Sequence, residues 1–167
     1  MAFKNTVAII SATTAVGAVS AKSIAANFRL LLMDADQSKL VLLQQEIQAI
    51  CKNAEVEILN CCKSASWEAD IIVVANNGES LDVLAANMKE VTNCKTVLHF
   101  TSSENDIDRL QQFLPHAKVA TIILSQPFKG TGVSSSAFIH GTDKEAIDTA
   151  KMMIEAMACK LKVHTAA

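Results

Sequence analysis

No stretch of this chain stays apolar for long. Its longest apolar runs, such as Leu30–Met33 and Ile71–Ala75, fall far short of the roughly 20 residues that a membrane-spanning helix requires. The opening Met1-Ala2-Phe3-Lys4-Asn5 runs directly into a strand pattern and lacks a signal peptide's apolar core. A soluble, cytoplasmic protein with no membrane partner is therefore expected. A basic field is also missing. The formal net charge is −2, and Lys and Arg are scattered without interleaved aromatics, which argues against nucleic acid as a partner. The five cysteines (Cys51, Cys61, Cys62, Cys94 and Cys159) contain no C-x-x-C pair, and their number is odd. Zinc sites and disulfide frameworks need paired spacings. No metal is expected, and the thiols are read as reduced and mostly buried small hydrophobes. Linkers, repeats and low-complexity tracts are absent as well, so residues 1–167 are read as one domain.

What the sequence does contain is an alternation of short apolar runs with helical patterns. Thr6–Ser11, Arg29–Asp34, Glu55–Leu59, Ala69–Ala75, Lys95–Phe100, Lys118–Leu124, Ala137–Gly141 and Lys160–His164 read as strands. Ala69–Ala75 is continuous, β-branched and free of charge after Asp70, as expected of a central parallel strand covered on both faces. Between the strands lie helical repeats. A first helix over about Ala15–Asn27 carries the small residues Ala18, Ala21 and Ala25, and a second aligns Leu40, Leu43, Ile47 and Ile50. Leu81, Leu84, Met88 and Val91 mark a third. A fourth presents Ile107, Leu110 and Leu114, is capped by Ser103 and ends at Pro115. Ile147, Ala150, Ile154 and Met157 mark the last. Such alternation predicts a Rossmann-type, doubly wound α/β fold: a mostly parallel sheet of about eight strands with helices on both faces. Ligands of such sheets lie beyond the carboxyl ends of the strands, near the switch point between the first and fourth.

The loop at that place reads Ser11-Ala12-Thr13-Thr14-Ala15-Val16-Gly17. Dinucleotide loops use one glycine for the tight turn, a second for approach of the pyrophosphate and a third for helix–strand packing. The corresponding positions here are Ser11, Thr14 and Gly17, so only the third glycine is kept. Two readings stay open. Hydroxyls and backbone N–H groups at the helix N-terminus, including Thr13, Ala15 and Val16, can hold a phosphate with help from the helix dipole. Alternatively, the side chains at Ser11 and Thr14 crowd the pyrophosphate path. About twenty residues further on, Asp34 ends the second strand, where a carboxylate accepts ribose hydroxyls and favours NAD over NADP. Asp36 adds further negative charge, although Lys39 is within reach of a 2′-phosphate.

The run Val7–Gly17 followed by Met33-Asp34 resembles the start of deazaflavin-dependent NADP oxidoreductases, grouped with pyrroline-5-carboxylate reductase and the phosphogluconate dehydrogenase N-terminal domain. The resemblance continues through Ala69–Ala75, Thr96–Phe100, Val119–Leu124 and Ala137–Ala146, nearly the whole chain. It implies binding of NAD or NADP and hydride transfer to or from a small-molecule substrate, and, since relatives often pair, a homodimer. Three departures bear on this. Two loop glycines are replaced, Asn76-Asn77-Gly78 stands where the family has Val-Pro, and no helical C-terminal segment follows the last strand. Ala12–Gly17 also resembles the A-T-G-x-x-G loop of atypical short-chain reductases, but the chain contains no tyrosine and so no Tyr-x-x-x-Lys pair.

Asn76, Asn77, Thr101, Ser102 and Ser125–Phe128 fall at the ligand edge, where amides and hydroxyls can bond a ribose, a carboxamide or a substrate. Turns use the same residues for ordinary reasons. His99, near the end of the fifth strand, either donates a proton at the site or points into a helix interface. His116, His140 and His164 have no partner visible in the sequence. No catalytic group is assigned, and hydride transfer needs little from the protein beyond placement of the cofactor. The leading expectation is a dinucleotide-binding oxidoreductase-like protein. The alternative is a non-catalytic Rossmann domain acting as a nucleotide sensor or interaction protein.

Overall fold

The computed structural model describes residues 4–75, 80–106, 108–124, 135–157 and 161–166, with backbone alone at 135–136 and 161–166. Eight strands form one sheet: β1 (Thr6–Ile10), β2 (Arg29–Met33), β3 (Val56–Ile58), β4 (Ile71–Val74), β5 (Thr96–Thr101), β6 (Lys118–Leu124), β7 (Ser135–Gly141) and β8 (Leu161–Ala166). Their spatial order is β3-β2-β1-β4-β5-β6-β7-β8. The first six strands pair in parallel, as does β8 with β7, while β7 runs antiparallel to β6. No helical repeat lies between β6 and β7 in the sequence, and a parallel pair needs a crossover of a dozen or more residues.

Alternation along the strands sends side chains to two cores. Val7, Ile9, Leu30, Leu32, Val73, Leu98 and Phe100 meet α1 (Ala15–Ile24), α2 (Gln37–Ile50) and α6 (Lys144–Ala156). Ala8, Ile10, Leu31, Ile72, Val74 and Val97 meet α3 (Cys62–Glu68), α4 (Leu81–Met88) and α5 (Arg109–Phe113). β1 and β4 are buried at every position, the pattern of central strands covered on both faces. No helix among the described residues is long and apolar enough to cross a membrane.

Four sequence expectations change. Helix α3 is unforeseen, because its inward residues are Cys62, Ala65 and Ser66, which make no hydrophobic stripe. Ile50 ends α2 at 70% exposure: a periodic apolar position is covered only where the sheet extends beneath it, and the edge strand β3 has three residues. The helix expected after β5 is split into a 3₁₀ turn at Glu104–Asp106 and the short α5. Ser103 caps the turn, accepting Asn105 N–H at 3.3 Å, while Asp108, at φ 67°, starts α5. Among the described cysteines only Cys62 is buried, and Cys61 and Cys94 are exposed, so the reading of mostly buried thiols fails.

α1 lies close against the turn that follows β1. A Cβ on Gly17 would stand 2.6 Å from the Ser11 carbonyl oxygen and 2.9 Å from Ala12 Cα. Both contacts are backbone and cannot swing away. Gly17→Ala is expected to cost about 2–3 kcal/mol and to lower the thermal midpoint by roughly 4–12 °C. An unchanged midpoint by calorimetry would remove close packing as the reason for this glycine.

Candidate functional site at the carboxyl edge

Strand order reverses at β1, which pairs with β2 on one side and β4 on the other. The crevice beyond the carboxyl ends of β1 and β4 is the ligand position of such sheets, and the Ser11–Gly17 loop borders it. Ser11 holds φ 62°, the left-handed conformation that the first glycine of a dinucleotide loop supplies without strain. The turn is thus made by a residue less suited to it than glycine.

Thr14, at the second glycine position, does more than fill space. It is the N-cap of α1, and its Oγ1 accepts the Gly17 N–H at 3.1 Å. The same hydroxyl donates toward the carbonyl oxygens of Ser11 and Ala75, each 3.0 Å away. Ala75 follows β4, so Thr14 staples the α1 N-terminus across the switch-point crevice. Ala15 and Val16 supply other first-turn N–H groups, which an α-helix cannot satisfy internally.

Asp34 follows β2 and faces this loop. Its Oδ2 accepts the Thr13 N–H at 3.0 Å and the Thr13 hydroxyl at 2.5 Å, and its Oδ1 accepts the Ala35 N–H at 2.7 Å. Burial pushes the Asp34 carboxyl up, but the bonds from Thr13, Ala35 and Asp36 together outweigh it and hold the group below its ordinary value. Lys39, the cation considered for a 2′-phosphate, lies 3.8 Å from Asp36 in a solvated pair. The structure therefore brings Ser11, Thr13, Thr14, Ala15, Val16, Gly17 and Asp34 together. Asn76, Asn77 and Ser125–Phe128 lie outside the described residues. Thr101 is at the end of β5, but its hydroxyl is committed locally: it donates to Asp106 at 3.0 Å and accepts the Ser103 N–H at 3.1 Å.

His99 takes the second of its two expected orientations. It shares the face of Val97, toward α3–α5, and is 3% exposed, with Nδ1 lacking a hydrogen-bond partner. Burial pushes the imidazole down to about 4, only partly opposed by the Asp106 carboxylate. Its cross-strand neighbour is the buried Thr121, whose own neighbour on β7 is His140. His140 Nε2 sits 3.0 Å from Asp108 Oδ1. This polar row was not anticipated from the sequence, because only the β6–β7 register aligns it and no local motif encodes that register.

The fold is Rossmann-like. No protein-family model and no curated protein sequence matches the chain, but solved structures do. Prephenate dehydrogenase from A. aeolicus, in complex with hydroxyphenyl propionate and NAD+, superposes with a TM-score of 0.72 at 12% identity, covering 100% of this chain and 61% of that one. Pyrroline-5-carboxylate reductase from Coxiella burnetii gives 0.69 at 12% identity, over 99% and 60%. The Plasmodium falciparum pyrroline carboxylate reductase with NADP bound gives 0.65 at 14%, over 98% and 58%. This chain thus spans about three-fifths of each of these neighbours, and at such identities the likeness is one of fold.

Two stability measurements test the local reading. Ser11→Gly removes left-handed strain of about 1–2 kcal/mol and returns part of it as unfolded-chain entropy. A net gain of about 0.5–1 kcal/mol is expected in urea unfolding, whereas a loss would mean that the Ser11 side chain is needed at the turn. For His99, the folded-state value of about 4 lies below the ordinary 6.5, so between those values the unfolded chain binds the extra proton. The contribution of this group is then full above pH 6.5, declines as pH falls through that window and is exhausted by about pH 4. The decline is about 3 kcal/mol. Urea titrations at several pH values should show this slope in the native chain and a reduced one in His99→Gln; equal slopes would discard the account.

Proposed function

We propose that the chain, as one domain over residues 1–167, binds a nicotinamide dinucleotide and belongs functionally with oxidoreductases, with NAD preferred over NADP. The observation that carries this reading is Ser11 at φ 62°. A non-glycine residue held in that region is strained, and such strain gathers at ligand sites. It persists here together with the close approach at Gly17 and a carboxylate at the end of β2. The N–H groups of Ala15 and Val16, at the positive end of the α1 dipole, fit a pyrophosphate. Asp34 fits the adenosine ribose and disfavours a 2′-phosphate, and Asn76, Asn77 and Thr101 remain candidates from the sequence for contact with the cofactor. When bound, the nicotinamide ring supplies hydride chemistry, and this chain's residues supply its placement. A small-molecule substrate, a homodimer and a cytoplasmic setting are parts of the same proposal.

A second reading, a nucleotide sensor without turnover, is favoured by one specific observation. The hydroxyls of Thr13, Thr14 and Thr101 at the carboxyl edge are all engaged by the chain itself, and His99 is sealed beneath the edge.

Thermal unfolding with NAD, NADH, NADP and NADPH tests the first reading. A ligand at a hundredfold its dissociation constant adds roughly 2.7 kcal/mol of stability, and NAD or NADH is expected to give the larger shift. Thr14→Gly, which opens the crevice, should enlarge the ligand-induced shift while lowering the unliganded midpoint. If none of the four ligands shifts either protein at millimolar concentration, dinucleotide binding is refuted. Binding without turnover on carbonyl, imine and deazaflavin acceptors would select the sensor.

A further inference from the structure

A carboxylate offers about four acceptor positions on its two oxygens. On Asp34, the chain takes both positions of Oδ2, through the Thr13 N–H and hydroxyl, and one of Oδ1, through the Ala35 N–H, and the Asp36 N–H also acts on the carboxylate. A ribose that presents two adjacent hydroxyls to this group finds room for at most one, on Oδ1. We propose that Thr13 is the specificity-determining residue of the site, its hydroxyl competing with the adenosine ribose for Oδ2 of Asp34. This rests on the dinucleotide reading above and goes beyond it, since it assigns the affinity for the adenosine half to a residue that such a loop does not need for its turn.

The surrounding geometry separates Thr13 from the scaffold of the loop. The loop is held on both sides of Thr13 by bonds that do not use its side chain. Ala12 N–H donates to the Met33 carbonyl at 3.1 Å, Thr14 N–H to Ser11 at 3.2 Å, and the Thr14 hydroxyl reaches Ala75. Thr13 itself is half-buried, so an isosteric change leaves no cavity in the core. The 2.5 Å hydroxyl–carboxylate bond is of the short, charge-assisted kind, stronger than a neutral hydrogen bond. At Oδ2, an entering ribose hydroxyl gains such a bond only by breaking this one. With the hydroxyl gone, the Thr13 N–H still orients the carboxylate, and one acceptor position on Oδ2 is released.

The sign of the effect separates this competition from simple bracing. If the Thr13 hydroxyl only stiffened the loop for its ligand, its loss would weaken binding; if it competes, its loss tightens binding. Calorimetric titration of ADP-ribose, NAD and NADP into the native chain, Thr13→Val and Thr13→Ser supplies the test. Thr13→Val is expected to bind ADP-ribose and NAD about tenfold more tightly, the worth of one regained hydrogen bond. Thr13→Ser, which keeps the hydroxyl, should stay within about twofold of the native chain on the same scale. NADP, whose 2′-oxygen carries a phosphate, should gain little. Equal or weaker binding of ADP-ribose by Thr13→Val overturns the competition and leaves the dinucleotide function standing. No binding of any ligand to any form, with thermal melts confirming folded protein, overturns both.

Discussion

The approach of α1 to the turn after β1 governs the rest of this architecture. Gly17 has no room for a Cβ against Ser11 and Ala12, and helix and strand can meet that closely only if the chain reverses sharply between them. The left-handed Ser11 provides that reversal. It also sets Thr14 in extended conformation as the N-cap and brings Thr13 over the end of β2, against Asp34. Packing at one glycine thus fixes the cap, the turn and the position of the only carboxylate bonded to the loop among the described residues. Ser11 and Thr14 stand at the first two loop positions without dissolving this arrangement, because the third, Gly17, is the one that packing demands.

The bonds that hold the loop compete with those that would hold a ligand. A glycine-rich loop leaves helix N–H groups and the β2 carboxylate free, at a cost in stability, for ligand atoms to satisfy. Here the Thr14 hydroxyl serves as the N-cap and the Thr13 hydroxyl occupies an acceptor position of the carboxylate, so part of the unliganded loop is already satisfied. An N-cap threonine adds about 1 kcal/mol, and a hydrogen bond to a charged group about 1.5–3 kcal/mol. Such a loop gains rigidity and gives up binding energy, the trade common to sites stabilised at the expense of function.

Much of this was legible in the sequence for reasons that can be located. β1 and β4 announced themselves because central parallel strands are apolar at every position, and α6 because Ile147, Ala150, Ile154 and Met157 recur at helical spacing, of which Ala150, Ile154 and Met157 are buried. The loop and Asp34 could be placed side by side from the sequence because a βαβ unit sets its first turn and the end of its second strand at a fixed spacing. Helix α3 was hidden, since it buries small residues and leaves Trp67 69% exposed. The split before α5 was hidden too, because a left-handed Asp108 is a tertiary outcome paired with His140 on a distant strand. The Thr13–Asp34 bond was the most consequential omission. The sequence placed both residues at the site but offered no sign that they would satisfy each other.

That mutual satisfaction also bears on charge. The positive end of the α1 dipole lies at Thr13–Gly17, and Asp34, accepting from Thr13, already lies against it with a full negative charge. A pyrophosphate arriving there meets a helix terminus whose field is partly neutralised, and no Lys or Arg lies within the loop to offset the carboxylate. The nearby cation, Lys39, is paired with Asp36 and well solvated. Attraction for a ligand phosphate must then come from neutral N–H groups, whose contribution grows only when water is excluded from the crevice. Each added phosphate makes that harder. If the chain binds a dinucleotide as proposed, these electrostatics would weigh more heavily against one carrying a third phosphate beside Asp34 than against one presenting hydroxyls there.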